Sequence, residues 1–361
     1  MTAPRNGVCR VVTTSLSARL LLAGQMAALD EVTWAVTSGD AWPDAPAGLE
    51  LHVVPMRREP ALSDLRAMVA LTRLFGRRRF RLVQTHTPKA SLLGLPAARL
   101  SGTPAAYTVH GALFYAGNSR RRNVAGWLFE KWCCAWADRV LLQSREDLTA
   151  LPAAHICADR KLRYIGNGID LDRFIVLPRP ARTRPTVLMV SRLVAEKGCR
   201  DFFELARRLS AVADFTHVGP VEHDQRDGLT SREIDRAREL GVHVAGAVTD
   251  VRPWLASADV VVLPSYREGI PRAAMEAAAS GRPVVAYDIR GVREVVPPAA
   301  HLLAPLGDLD ALERIVRRLV DDRRACEEAG NTCAAHVRAG FSEASVVARL
   351  RQVYAEIGVL T

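Results

Sequence analysis

Glu268 and Glu276 bracket a short turn, Gly269-Ile270-Pro271, and Arg192 and Lys197 follow an apolar run earlier in the chain. Carboxylates at such a turn could hold hydroxyl groups or steady a developing positive charge. Cations at a strand exit could clamp a diphosphate. Just before the turn, the apolar run from Asp259 to Pro264 reads as a buried strand. Pro271 sits where a helix would begin, and the alanine-rich stretch from Arg272 to Ser280 stops at Gly281. Strand, loop and helix N-terminus together make an anion site, because free N–H groups and the helix dipole face the ligand. Side chains lean toward a helix N-terminus, which aims Glu276 back at the mouth of this site. Its neighbours are Met275 and alanines. A carboxylate packed among them is costly unless something bonds it, which weighs function above a solvated surface position.

The cations have a similar setting. Thr186 to Ser191 reads as a strand, and Arg192 and Lys197 follow it, just ahead of Gly198. In the first half, Leu82 to Thr85 exits through His86 and Lys89, and Ala105 to Val109 exits into His110 and Gly111. The carboxyl ends of strands line the ligand crevice of an open α/β sheet. A lone histidine there is as often a satisfied structural residue as a ligand.

The elements that must position these residues alternate apolar strands with helical stretches, the pattern of a parallel sheet with crossover helices. Strands are expected at residues 8–13, 33–37, 51–54, 82–85, 105–109, 139–143, 161–165, 186–191, 215–219, 242–245, 259–264 and 283–287. Thr14 to Ser17 is read as a turn and Leu20 to Leu29 as the first helix. Helical stretches are expected from Leu309 to Ala339 and from Ser342 to Glu356, with the break at Gly340. The first turn lacks GxGxxG, which argues against a nicotinamide enzyme. The aromatic-rich stretch from Val124 to Ala137 is read as core. Asp170-Leu171-Asp172 spells a DxD metal motif but lies in a turn, and it is discounted.

At 361 residues the chain has room for two domains, and its apolar (49%) and charged (24%) fractions are those of a globular protein. A net charge of +10 calls for an anionic partner. The basic residues are not interleaved with aromatics, so nucleic acid is not expected. Arginine clusters at Arg57-Arg58, Arg77 to Arg79 with Arg81, and Arg120 to Arg122 read singly as solvated faces. Together they could meet anionic lipid or a diphosphate-linked acceptor. There is no apolar run of spanning length and no secretory signal, so a cytoplasmic protein, peripheral at most to the inner membrane face, is expected. The seven cysteines include no CxxC pair, and free thiols rather than a metal site are expected.

The pattern Glu268-x7-Glu276, followed by Gly281-Arg-Pro-Val-Val-Ala-Tyr-Asp and Gly291-x-x-Glu294, resembles the donor site of retaining family-4 glycosyltransferases. So do Ser191-Arg192-Leu-x-x-x-Lys197-Gly198 and Asn167-Gly168-Ile169-Asp170. The resemblance spans nearly the whole chain. It implies the GT-B fold, an α/β architecture of two Rossmann-like domains facing a central cleft. An N-terminal acceptor-binding domain would occupy residues 1–177, a linker 178–185 and a nucleotide-sugar-binding domain 186–340. The terminal helix at 341–361 would pack back toward the first domain. The resemblance puts Arg192, Lys197, Glu268, Gly269, Ile270, Pro271, Glu276, Gly246, Ala247 and Ser15 around the donor, with catalytic roles for Glu268, His110, Arg192 and Lys197. It leaves His86 and Lys89 for the acceptor side. The segment Thr85-His-Thr-Pro-Lys-Ala90 resembles a subgroup that assembles polysaccharides and other glycans, which favours a UDP-sugar donor. The implied reaction is transfer of a hexose to a glycan, lipid-linked or small-molecule acceptor, with retention and without cofactor or metal. A glycan phosphorylase of similar architecture, or a non-catalytic scaffold acting as a binding protein, is the alternative. The first needs a phosphate or cofactor site for which no motif is seen. The second fits poorly with both glutamates and both cations being present.

Overall fold

β-Branched runs too short for helices pair in this chain into two wholly parallel sheets. The computed structural model describes all residues except 1–5, 30–32, 40–41, 43–44, 46–47, 57–60, 116–117, 179–183, 223–226 and 360–361. Residues 1–167 and 343–361 form one unit, and residues 168–342 another.

The first unit holds β1 (Asn6–Val11), β2 (Thr33–Thr37), β3 (Glu50–Val53), β4 (Phe80–Thr85), β5 (Ala105–Val109), β6 (Arg139–Leu142) and β7 (Leu162–Tyr164). Its sheet order is β3-β2-β1-β4-β5-β6-β7. Its helices are α1 (Ser15–Ala28), α2 (Ser63–Arg78), α3 (Pro88–Leu100), α4 (Arg120–Trp136) and α5 (Arg145–Ala153). The second unit holds β8 (Thr186–Val190), β9 (Asp214–Val218), β10 (Val242–Val244), β11 (Val260–Leu263), β12 (Val284–Tyr287) and β13 (Leu303–Ala304), in the order β10-β9-β8-β11-β12-β13. Its helices are α6 (Cys199–Leu209), α7 (Ser231–Glu239), α8 (Arg252–Ser257), α9 (Arg272–Ala279), α10 (Val292–Val295), α11 (Leu309–Asp321) and α12 (Arg323–Gly340). The last helix, α13 (Glu343–Glu356), returns to the first unit.

The pleat divides the first sheet between two cores. Cys9, Val83, Tyr107 and Leu142 pack with Leu71, Phe75, Leu95 and Cys133 of α2, α3 and α4. Their strand neighbours Val8, Leu82, Ala106 and Leu141 face the other way, onto Val346, Leu350 and Tyr354 of α13. A buried polar chain fastens this helix. Arg10 Nη2 donates to the Tyr354 hydroxyl at 3.2 Å, Tyr354 donates to Gln84, and Gln84 Nε2 donates to Thr108 Oγ1 at 2.9 Å. Among the described residues no helix is long and apolar enough to cross a membrane, and all seven cysteines are free.

Several boundaries differ from those expected. Helix α1 begins at Ser15 rather than Leu20, because the Thr14 hydroxyl accepts from Ser17 N at 3.1 Å and caps it. The stretch from Leu309 to Ala339 is two helices, since Asp322 Oδ1 accepts from Ala325 N at 3.0 Å and starts α12 afresh. Ile169 and Phe174 pack in the second unit's core, so the first unit stops short of residue 177. Asp170 Oδ1 accepts from the amides of Asp172 (3.0 Å) and Arg173 (3.1 Å), which gives the DxD triplet a turn-forming job. Most of the proposed linker (179–183) and the Arg57-Arg58 cluster lie outside the described residues. Helix α4 is not simply core. Trp127, Phe129 and Trp136 pack against the first unit's core, but Val124, Leu128 and Trp132 are exposed.

Candidate donor site and strand-end histidines

The carboxyl ends of β8 and β11, neighbours in the second sheet, carry most of the second unit's candidate residues. Arg192 leaves β8, Lys197 closes the 3₁₀ turn Ala195–Lys197, and Glu268 follows β11. Lys197 Nζ lies 2.7 Å from Glu268 Oε1, and both side chains are mostly buried. Ser265 Oγ donates to the same carboxylate oxygen at 2.8 Å.

Two glycines let these loops approach. Gly198 has φ +72°, and a Cβ there would stand 1.8 Å from the Pro264 carbonyl oxygen. Gly291 has φ +78°, and its Cβ would stand 1.4 Å from the Gly269 carbonyl oxygen. Neither position tolerates a side chain without moving backbone. The turn is also fastened by Tyr266 N, which donates to Glu196 O at 2.9 Å. Tyr266 and Tyr287 each donate a hydroxyl to Asp201 Oδ2 at 2.7 Å.

Helix α9 starts after Pro271, so the N–H groups of its first turn lack intrahelical partners. Ile270 and Pro271 are buried ahead of it. Glu276 sits one turn in, buried, and accepts from Arg272 Nε at 2.8 Å. Burial pushes its carboxyl pKa up, and the Arg272 charge pulls against that shift. Arg192 Nη1 meets Glu222 Oε2 at 2.8 Å. Gly246 has φ +76°, with open space where a Cβ would go, and Ala247 beside it is exposed.

The first unit's candidates sit on another set of neighbouring strand ends. His86 follows β4, His110 follows β5 and Gln143 follows β6. His110 Nδ1 donates to Gln143 Oε1 at 3.1 Å. A neutral ring then accepts at Nε2, which lies 3.2 Å from His86 Nδ1. Lys89 is buried and paired with Asp64 of α2. Ser15 is buried, its hydroxyl 3.3 Å from Thr37 Oγ1. Lys197 and Glu268 are therefore brought into contact, as are His86 and His110. Arg192, Glu276, Lys89 and Ser15 each meet partners not singled out in the sequence: Glu222, Arg272, Asp64 and Thr37.

Residues 18–173 match the family described as Glycosyltransferase Family 4, and residues 184–322 match Glycosyl transferases group 1. The chain belongs to the family-4, group 1 glycosyltransferases. Among its relatives, the Escherichia coli UDP-Gal:alpha-D-GlcNAc-diphosphoundecaprenol alpha-1,3-galactosyltransferase is 27% identical over 319 residues, covering 82% of this chain and 81% of that protein. Sucrose-phosphate synthase from Thermosynechococcus elongatus superimposes with a TM-score of 0.84 at 20% identity, over 98% of this chain and 99% of that one. Anabaena HepE, solved with UDP and glucose, gives a TM-score of 0.81 at 18% identity, over 97% and 99%. These structures fix the fold as GT-B, with two Rossmann-like domains. The protein is a retaining hexosyltransferase that takes its sugar from a nucleotide-sugar donor.

Gln143 could have been found in this glycosyltransferase by the rule that singled out both histidines, since it also stands just past a strand. Arg272 was legible as the i−4 partner of Glu276. Ser265 likewise stands just past an expected strand, and no sequence signal pointed to Glu222.

The buried histidines are expected to make the glycosyltransferase acid-sensitive. Burial lowers the pKa of His110 to about 4, and the Gln143 hydrogen bond opposes the shift only in part. Burial also lowers His217 to about 4. His86 falls well below its ordinary value through burial, then through His110 and Arg10. A folded pKa below the unfolded one means the unfolded chain binds more protons between the two values. Stability is therefore full above about pH 6.5 and is lost as pH falls toward 4. At pH 5.5 His110 and His217 are each expected to cost about 1 kcal/mol. Scanning calorimetry should show the unfolding midpoint dropping from pH 7.5 to 5.5, and His217→Asn should flatten that drop. An unchanged midpoint across this range would show that the histidines bind protons equally in both states.

Proposed function

We propose that the enzyme transfers a hexose from a UDP-sugar to a glycan or lipid-linked acceptor, without a divalent metal. The observation that carries this reading is the contact of Lys197, which follows β8, with Glu268, which follows the neighbouring β11 just ahead of the α9 N-terminus, with Arg192 at the β8 exit. In this reading Arg192, Lys197 and the amides from Gly269 to Arg272 receive the diphosphate, whose negative charge grows as the glycosidic bond breaks. They take the place a metal ion would hold. Glu276 accepts the ribose hydroxyls, and the turn at Gly246-Ala247 receives the nucleobase through its backbone. Glu268 is assigned to the donor sugar, and in the first unit His110 and Ser15 are assigned to the donor as well. His86 and Lys89 are assigned to the acceptor side, where they shape the floor from buried positions. The leaving phosphate itself takes the acceptor proton, so no protein base is required. Support for UDP comes from the relatives: the Escherichia coli enzyme is named for a UDP-Gal donor and an undecaprenol-linked acceptor, and HepE was solved with UDP. With an acceptor of that kind, the enzyme would work peripherally at the inner membrane face.

A thermal-shift panel of UDP, GDP, ADP, CMP and dTDP tests the donor. A ligand at 100 times its dissociation constant adds about 2.7 kcal/mol. That should raise the midpoint by a few degrees for UDP alone. Stabilisation by another nucleotide with none from UDP would reject the base assignment. Transfer should persist in EDTA. Complete loss in EDTA, restored by magnesium or manganese, would reject the metal-free mechanism.

A further inference from the structure

Helix α4 packs Trp127, Phe129, Cys133 and Trp136 inward and is apolar on its outer side as well. Two of its polar residues turn to the protein instead of the solvent: Asn123 Oδ1 accepts from Tyr115 N at 3.0 Å, and buried Glu130 accepts from Leu113 N and the Tyr107 hydroxyl, each at 3.0 Å. Gly126 lies between them, where a Cβ would stand 2.6 Å from the Leu113 carbonyl oxygen. The outward stripe, at i, i+4 and i+8, is Val124, Leu128 and Trp132, which are 52%, 55% and 43% exposed. Exposed Ala125 and Ala135 widen it. Arg120, Arg121 and Arg122 occupy the first turn and are exposed, and Lys131 flanks the stripe with its Nζ 4.4 Å from the Trp127 ring centre. Glu130 is the helix's one acid, and it is buried and hydrogen-bonded. Arginines at a helix N-terminus work against the macrodipole, where an acid would help. A helix that shows apolar residues to water and cations to its own positive end breaks two local rules at once, which marks a functional surface.

We propose that the outward face of α4 docks on an anionic phospholipid surface, lying flat with Val124, Leu128 and Trp132 in the headgroup boundary and Arg120 to Arg122 on lipid phosphates. An exposed apolar stripe with an aromatic residue and a basic end has the chemistry of a surface that sits in the headgroup boundary. Anionic lipid is favoured over a second copy of the chain, because the face is flanked by exposed cations and the single acid of a partner's α4 would be buried, leaving no carboxylate on that helix to meet them. The inference deepens the membrane-anchored acceptor reading and rests on it.

Co-sedimentation of the full chain with phosphatidylglycerol-containing vesicles at low salt tests it against pure phosphatidylcholine. Partitioning into the anionic vesicles should be at least about tenfold stronger and should fall with added salt. The triple change Arg120→Gln, Arg121→Gln, Arg122→Gln should cut it by on the order of 100-fold. Leu128→Glu, at an exposed position, should cut it by roughly tenfold or more. The control Arg232→Gln with Arg236→Gln removes charge from exposed helix α7 and should leave binding near wild type. Transfer to a water-soluble acceptor should be unchanged by Leu128→Glu, which separates this test from that of the reaction itself. Equal loss in the α7 control would assign binding to overall charge and overturn the proposal. Leu128→Glu binding like wild type would overturn it too. A wild-type dimer that Leu128→Glu dissociates, with vesicle binding unaffected, would give the face to a second copy instead.

Discussion

Lys197→Ala is expected to lower turnover by at least about 100-fold, and Arg192→Ala by a similar or smaller factor. In the proposed site each removes a fixed positive charge from where the departing diphosphate would gather negative charge, and losses of this size are typical of removing one such group. The two should not be equal. The Lys197 side chain is 17% exposed and is held by a Glu268 side chain 10% exposed. That of Arg192 is 40% exposed, with Glu222 as its partner. Charge interactions weaken with solvent access, so the better-shielded lysine should matter more. Lys197→Ala also leaves Glu268 mostly buried without its cation, which should lower thermal stability as well as turnover. Lys197→Arg distinguishes the two effects. It keeps the charge but cannot reproduce the compact ammonium contact, so it should recover stability better than it recovers turnover. Steady-state kinetics at saturating donor provide the measurement. Wild-type turnover in both alanine variants would place the diphosphate elsewhere.

Much of this arrangement was legible because strand exits are legible. Apolar runs such as Val260–Leu263 and Thr186–Val190 announce where a parallel sheet delivers its side chains, and Arg192, His86 and His110 stand just past such runs. What the sequence leaves open is which exits are neighbours. Strand order sets β4, β5 and β6 side by side, and only that order lines up His86, His110 and Gln143 in one hydrogen-bonded row. Lys89 shows the same limit from the other side. Its place after β4 suggested a ligand-facing cation, but the packing of α2 against α3 gives it Asp64.

Helix α4 was read as core, which holds for its inward side and misses the outer one. Apolar residues surround it on nearly every side, so periodicity cannot tell which face is inside. Burial of Glu130 and the close approach at Gly126 settle the question, and both depend on the loop that follows His110. The two-residue strand β13 left no pattern to read. The break at Asp322 was visible only as an N-cap inside what looked like one continuous helix.

The two glutamates should separate binding from chemistry. Glu276 is buried, tied to Arg272 at 2.8 Å, and one turn inside α9. A carboxylate fixed in that way can accept ribose hydroxyls, and those contacts hardly change as the glycosidic bond breaks. Uniform binding of ground and transition states moves the Michaelis constant rather than turnover. Charged hydrogen bonds contribute about 1.5–3 kcal/mol each. Glu276→Ala should therefore weaken nucleotide binding by roughly tenfold or more. Glu268 stands in the loop instead, bonded to Lys197 and Ser265. Glu268→Gln keeps an oxygen for Ser265 but removes the charge, and positive character on the sugar develops only during transfer. Turnover should fall while affinity for free UDP stays close to wild type or tightens, since Lys197 no longer has a carboxylate competing with the diphosphate. Calorimetric titration of UDP, together with steady-state kinetics on both variants, decides the matter. If Glu268→Gln loses nucleotide affinity while Glu276→Ala keeps it, the roles are reversed, and the ribose lies over the loop rather than over the helix.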